Sequence, residues 1–412
     1  MTDHLDRLAA ELDSRLATDD RDHVVRYPGG RRERQPVHTV YVPGDRVHAG
    51  SVAEWGERAS AKLAQHAPDR DALASALDLD PELVGYDRIV EKLSREPIED
   101  LRIDFEDGYG ARPDDTEDAD VRAAVAAVAA MLEAGTAPPC VGIRFKSFDA
   151  ATRHRGLRTL DLFVRELASS GLPNGLRVTL PKVTSVAQVE AMTTACAWIE
   201  QEHGLADGAL AFEIQVETPQ AVVGPDGRAL VAPMIHASRG RCVGLHYGTY
   251  DYSAALGIAA AQQSMEHPAA DFAKDVMQVA AAETGVVVSD GSTNILPVGD
   301  TEAIHAAWRL HARLVRRSLE RGIYQGWDLD PSQLPSRYAA VYAFFAADLP
   351  ESLRRLRAYA GAGDAGYLDE PATAAALAGY VLRALDCGAT SADDVRHGSG
   401  MERARLESLA RR

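Results

Sequence analysis

The sequence is poor in the features that mark specialised protein classes. Four cysteines in 412 residues, Cys140, Cys196, Cys242 and Cys387, show no C-x-x-C spacing. They read as reduced core thiols of a cytoplasmic protein. No run of about 18 apolar residues occurs, so no membrane span is expected. The opening MTDHLDRLAAELDSRL is charged and amphipathic, unlike a signal peptide. Positive charge is scarce: 44 Lys and Arg against 61 Asp and Glu give a net charge of −17, which argues against a nucleic-acid partner. No G-x-G-x-x-G follows the first strand-like run, so the phosphate turn that opens many doubly wound sheets is missing.

What is present is an alternation. Strand-like runs are expected at Val37 to Val42, Leu101 to Phe105, Val141 to Phe145, Leu176 to Leu180, two more ending near Val216 and Tyr247, Val286 to Val288, and Gly322 to Trp327. Helix-compatible stretches separate them. Eight strand–helix repeats predict an α/β chain of the (β/α)8 TIM-barrel type, with an open doubly wound sheet as the alternative. An N-terminal helical segment (Leu5 to Leu16, then a loop, within 1–36) precedes the barrel at 37–333, which carries a polar insertion at about 66–97. A C-terminal helical extension follows at 334–412. The aromatic group Tyr338, Tyr342, Phe344 and Phe345 has mixed spacing and reads as helix packing.

Two acids stand out. AFEIQVETPQAVVG and GRCVGLHYGTYDYSAALG each run from an apolar strand to one acid, Glu217 and Asp251. Strand C-termini face the ligand in parallel α/β folds. Two carboxylates there, without a Cys or His cluster, suit a hard cation such as Mg²⁺ or Mn²⁺. The plainer alternative is two acids at helix N-termini. Arg144, at the third strand end, offers a planar fork for a substrate carboxylate, or an ion pair with Glu106 or Asp107. Glu106 and Asp107 are adjacent, so on a strand they face opposite sides and serve the site through water or Arg144. The amides of Thr249 and Tyr250 are candidates for a carboxylate oxygen. Lys182 reads as structural or anion-binding and His246 as a core histidine. Asp45, Arg46, Asp290, Ser292, Asp328 and Asp330 also sit at strand ends, where several are expected to line the pocket.

Seven segments in order, YVPGDR (41–46), IDFEDGYG (103–110), GIRF (142–145), LPKV (180–183), QVETPQAV (215–222), YGTYD (247–251) and WDLDPSQLPSRYAAVYAFF (327–345), resemble the HpcH/HpaI aldolase and citrate lyase beta-subunit superfamily, relatives of malyl-CoA lyases and malate synthases. The chain departs from that pattern at Asp330-Pro331, where the family usually has His-Pro, and at Lys146 after the third-strand arginine. The resemblance implies an enzyme: a Mg²⁺- or Mn²⁺-dependent carbon–carbon lyase or aldolase. Its substrate would be a small hydroxy or oxo carboxylic acid, free or as a CoA thioester, and its intermediate a metal-stabilised enolate. It assigns the metal to Glu217 and Asp251, and implies a homo-oligomer, a trimer or hexamer, in which a neighbour's C-terminal segment completes the site. The alternatives are a malate-synthase-like condensation, a thioester hydrolysis, and a non-catalytic binding barrel.

Overall fold

Eight parallel strands form one sheet: β1 His38–Pro43, β2 Asp100–Asp104, β3 Cys140–Arg144, β4 Leu176–Leu180, β5 Phe212–Val216, β6 Cys242–Tyr247, β7 Val287–Ser289 and β8 Gly326–Asp328. The computed structural model describes residues 2–30, 33–361 and 370–411. Hydrogen bonding follows the order β7-β6-β5-β4-β3-β2-β1-β8. A single parallel bridge, Ser289 to Gln325, joins the two ends. It is supported by Asp290 N donating to Gln325 O (2.8 Å) and Trp327 N to Gly291 O (3.1 Å). The sheet is therefore a closed (β/α)8 barrel, and the open doubly wound alternative is set aside.

Successive side chains on a strand point to opposite faces. Leu101, Ile103 and Phe105 alternate with Arg102, Asp104 and Glu106, and Phe212, Ile214 and Val216 with Glu213, Gln215 and Glu217; all are buried. The polar set fills the lumen. Arg102 Nη2 lies 3.0 Å from Glu213 Oε2, and Thr179 Oγ1 donates to that carboxylate at 3.2 Å. Trp327 Nε1 donates to His246 Nδ1 at 3.0 Å, and Gln325 Nε2 to Thr39 Oγ1 at 3.0 Å. The apolar set packs against the surrounding helices, where burying each large side chain stabilises by about 1.5–3 kcal/mol. The glycine of GIRF has a steric reason: a Cβ on Gly142 would meet the Arg177 carbonyl oxygen of β4 at 1.5 Å.

The first helix spans Thr2–Arg26. It is longer than expected, because the polar run after Leu16 continues the helix on an exposed face where no burial is required. The insertion folds as helices Arg70–Leu77 and Tyr86–Arg95. The C-terminal helices Leu334–Tyr359, Pro371–Cys387, Ala392–Ser399 and Arg403–Ala410 build a second small core around Leu356, Val381, Val395 and Leu406. Tyr338 Oη donates to Pro97 O (2.9 Å) and Tyr342 Oη to Cys387 O (3.0 Å), so these aromatics are packing residues. The four cysteines are buried and form no disulfide. Among the described residues no helix is long and apolar enough to cross a membrane.

Glu99 fastens the foot of the barrel. Its Oε2 accepts from Val37 N at 2.9 Å, and its Oε1 meets Lys92 Nζ and Arg34 Nη2, both at 2.6 Å. Burial alone would raise its pKa, but Lys92 and Arg34 outweigh it and hold the carboxyl at about 2, against an ordinary 4.5. This depressed group contributes stability in full above pH 4.5, and the contribution is lost as pH falls toward about 2. The loss reaches about 3 kcal/mol. Urea unfolding across that interval should show a shallower pH slope in Glu99→Gln than in the wild type; equal slopes would remove Glu99 from the acid response.

Candidate active site

Four carboxylates meet at the C-terminal mouth of the barrel. Glu217 follows β5 and is 1% exposed. Thr218 behind it caps the short helix Pro219–Val222 and donates to Val183 O at 2.6 Å. Asp251 lies in the first turn of the helix Thr249–Ala255, after β6. Glu106 and Asp107 follow β2. Lys182, after β4, ties them together. Its backbone N donates to Glu217 Oε1 at 2.7 Å, and its Nζ lies 3.0 Å from Asp251 Oδ2, 2.8 Å from Asp107 Oδ2 and 3.4 Å from Glu106 Oε1. Gly248 permits this closeness: a Cβ there would come within 2.4 Å of Glu217 Cβ.

The electrostatics follow from burial. Desolvation raises the Glu217 carboxyl to about 8, with Asp251 and Glu106 adding to the rise and Lys182 and Arg144 opposing it. Glu106 is likewise raised by burial, to about 7, against the pull of Arg144. Burial opposes charge on Lys182, but Glu217, Asp107 and Glu106 push its pKa well above the ordinary lysine value. An ammonium so held is a counter-ion, and a poor amine nucleophile. Among the described residues no three His, Cys, Asp or Glu side chains are gathered closely enough to hold a metal ion as they stand; the cation that Glu106, Asp107 and Asp251 share is Lys182. The donors are all oxygen, burial raises two of the carboxyls, and an ammonium already stands among them. These residues fit a hard divalent cation.

Beneath the acids lies Arg144. Its Nε and Nη2 donate to Asp104 Oδ1 and Oδ2, both at 2.7 Å, and its guanidinium lies over the Tyr41 ring at 4.7 Å. Nη1 reaches Gln215 Oε1 at 3.4 Å and Glu106 Oε2 at 3.5 Å. Gln215 Nε2 in turn donates to Glu217 Oε2 at 2.5 Å. The arginine's two-toothed edge is thus committed to Asp104, neither of the two partners expected from the sequence, and Nη1 is the edge directed at the acid cluster. Asp104 and Gln215 escaped the sequence reading. Strand parity could have found both, since Asp104 shares a face with Glu106, and Gln215 with Glu217.

Thr249 and Tyr250 open the helix that carries Asp251, where first-turn N–H groups lack intrahelical acceptors. Tyr250 Oη donates to Ser292 O (3.4 Å) and accepts from Asn294 N (2.6 Å), fixing this turn to the loop after β7. Several other strand-end residues are engaged elsewhere. Asp328 is fully buried, bonded to Arg337 Nη2 (2.8 Å), His38 Nδ1 (2.7 Å) and His311 Nε2 (3.1 Å), and ties helix Thr301–Glu320 to helix Leu334–Tyr359. Asp330 caps a single turn at Ser332 N (2.9 Å). Asp290 takes the fully buried Lys274 (2.9 Å), and Asp45 pairs with Arg112 (3.2 Å). His246, fully buried against Trp327 and Glu213, is a lumen residue.

The family model described as "Domain of unknown function (DUF6986)" matches residues 16–412. No curated protein matches the sequence. Among solved structures, the chain resembles a citrate lyase from Burkholderia xenovorans LB400, with 19% identity, 90% of this chain and 97% of that one covered, and a TM-score of 0.58. It also resembles Haloferax volcanii malate synthase in a magnesium/glyoxylate complex, with 13% identity, coverage of 75% and 76%, and a TM-score of 0.51. A native structure of that malate synthase at 3 mM glyoxylate gives 15%, 92% and 91%, and 0.50. At such identities the likeness establishes a shared fold.

Proposed function

The chain belongs to the family described as a domain of unknown function (DUF6986), and from its barrel mouth we propose a divalent-cation-dependent carbon–carbon lyase or aldolase, acting on a small oxo or hydroxy acid through an enolate. One observation carries the reading. Glu217 is buried, raised to about 8, and joined through Lys182 to the half-exposed Asp251 in an all-oxygen cluster at the ligand-binding end of a barrel. Glu217 and Asp251 are the residues to hold Mg²⁺ or Mn²⁺. The cation supplies Lewis acidity for the negative charge that grows on a carbonyl oxygen when the neighbouring carbon–carbon bond breaks or forms.

The chain's own groups do the rest. Arg144, held flat by Asp104, presents Nη1 toward the acid cluster and orients a substrate carboxylate. The amides of Thr249 and Tyr250 offer a second anchor. Glu106, raised to about 7, is suited to hold or move a proton near neutrality, and Asp107 steadies Lys182 beside it. The Haloferax volcanii structure, a malate synthase with magnesium and glyoxylate, supports an oxo acid and Mg²⁺ as the ligands to try.

The test does not require the physiological substrate. With Mg²⁺, the wild type should exchange the methyl protons of pyruvate, or the methylene protons of oxaloacetate, with D₂O, followed by NMR. Glu217→Gln and Asp251→Asn should lose calorimetric Mg²⁺ binding, with exchange falling about 100-fold or more. Equal Mg²⁺ binding by all three proteins would end the metal assignment, and a wild type that binds Mg²⁺ but never exchanges would end the enolate. The same reading expects a trimer or hexamer in which residues 334–412 of one copy reach the mouth of another. Sedimentation velocity showing only monomer at micromolar concentration would refute that assembly.

A further inference from the structure

The proposed function leaves one residue unexplained, Lys182. It is a lysine with φ +52°, in the left-handed region that side chains with a Cβ rarely enter. Such a conformation persists only where the surroundings over-determine it. Here two bonds do so from opposite ends of the residue. The backbone N–H is fixed on Glu217 Oε1 at 2.7 Å, while Nζ is fixed on Asp107 (2.8 Å) and Asp251 (3.0 Å), with Glu106 at 3.4 Å. The left-handed turn lets one residue touch all four acids.

The other cation against this cluster, Arg144, is committed. Arg144 spends its two-toothed edge on Asp104 and approaches only Glu106, at 3.5 Å. The lysine side chain is 26% exposed and Asp251 is 50% exposed, so Nζ can leave toward solvent. The backbone bond to Glu217 would stay in place.

We propose that Lys182 is the internal counter-ion of this site, and that a divalent cation binds by exchange, Nζ giving up Asp251 as the metal takes that carboxylate. This rests on Glu217 and Asp251 being the metal ligands. The exchange holds the cluster together before loading, and it weakens cation binding, because each metal ion must displace an ammonium already paired. It also frees the ammonium to meet an anionic substrate only in the loaded state.

The inference is read by calorimetry of Mg²⁺ with EDTA-treated wild type, Lys182→Met and Lys182→Arg, without substrate. Removing the counter-ion should tighten Mg²⁺ binding about tenfold, since the metal no longer displaces a charge. Arginine, which grips carboxylates through two N–H groups, should weaken it below wild type. Thermal unfolding on the same samples should show a larger Mg²⁺-induced rise in Tm for Lys182→Met than for the wild type. If the methionine variant does not fold, the arginine variant carries the test alone: affinity equal to wild type overturns the exchange. So does a Lys182→Met protein that binds Mg²⁺ no more tightly than the wild type does. A wild type with no Mg²⁺ affinity at all overturns the metal assignment itself, and the exchange with it, a result distinguishable from the others.

Discussion

Asp104→Ala should lower the unfolding free energy by about 3–5 kcal/mol, the cost of leaving a buried charge without its partner. Arg144 is 6% exposed and Asp104 1%, and two 2.7 Å bonds join them. The same carboxylate accepts from Glu106 N at 3.0 Å and Gly108 N at 2.8 Å, so its loss also frees the turn that carries Glu106 and Asp107. Asp104→Asn keeps the shape and one acceptor oxygen, and should cost clearly less. Urea denaturation gives both values. Calorimetry of pyruvate with Mg²⁺ present should show weakened binding in each variant, because an arginine no longer held flat cannot aim Nη1. An alanine variant as stable as the wild type would mean that water replaces Asp104, and that Arg144 is less enclosed than its contacts indicate. Arg144→Lys follows the same logic: with Asp104 as the partner, lysine loses the two-toothed bond, so stability and oxo-acid affinity should fall together.

Gly248→Ala should act on the site more than on the barrel. The new methyl group would come within 2.4 Å of Glu217 Cβ and 2.9 Å of its Oε2. Glu217 is enclosed and also bonded to Gln215 and Lys182 N, so it cannot turn aside while keeping those bonds. Displacing a ligand by a few tenths of an ångström is comparable to losing a residue that orients it, worth about 10- to 100-fold in metal affinity. Mg²⁺ calorimetry and pyruvate proton exchange should therefore fall together in Gly248→Ala. A variant that binds Mg²⁺ as the wild type does would show that Glu217 is not the constrained ligand.

The fold was legible because period-two alternation survives in nearly every strand, and because helical stretches separate the strands. Where β7 and β8 shrink to three residues each, the register blurs, and the eighth strand lies later than the pattern suggested. The polar residues after Leu16 looked like loop because an exposed helix has no apolar stripe to announce its end. The candidate site was legible at Glu217 and Asp251, single acids following apolar runs. It was less legible in IDFED, where three acids crowd into five residues: β2 ends at Asp104, so strand parity lapses there, and Glu106 and Asp107, expected on opposite sides, both reach Lys182 from the turn. Asp328 shows the same rule in reverse. It sits beside Trp327, which turns into the lumen, so it must turn outward, and it anchors helices instead of lining the mouth. The left-handed turn at Lys182 was beyond reach, since it depends on where four acids from three other loops come to rest.

The lone bridge between Ser289 and Gln325 has a mechanical meaning. Every other neighbouring pair of strands is laced by a ladder, whereas here the cylinder is fastened by a clasp. In this respect the barrel is a rolled ribbon whose two hems meet along one short seam. The Asp251 helix is stitched to one hem through Tyr250 and the loop after β7. The turn that carries Asp251 is thus held on two sides, by the β5–β6 ladder that runs up to Tyr247 and by the strap to the loop after β7.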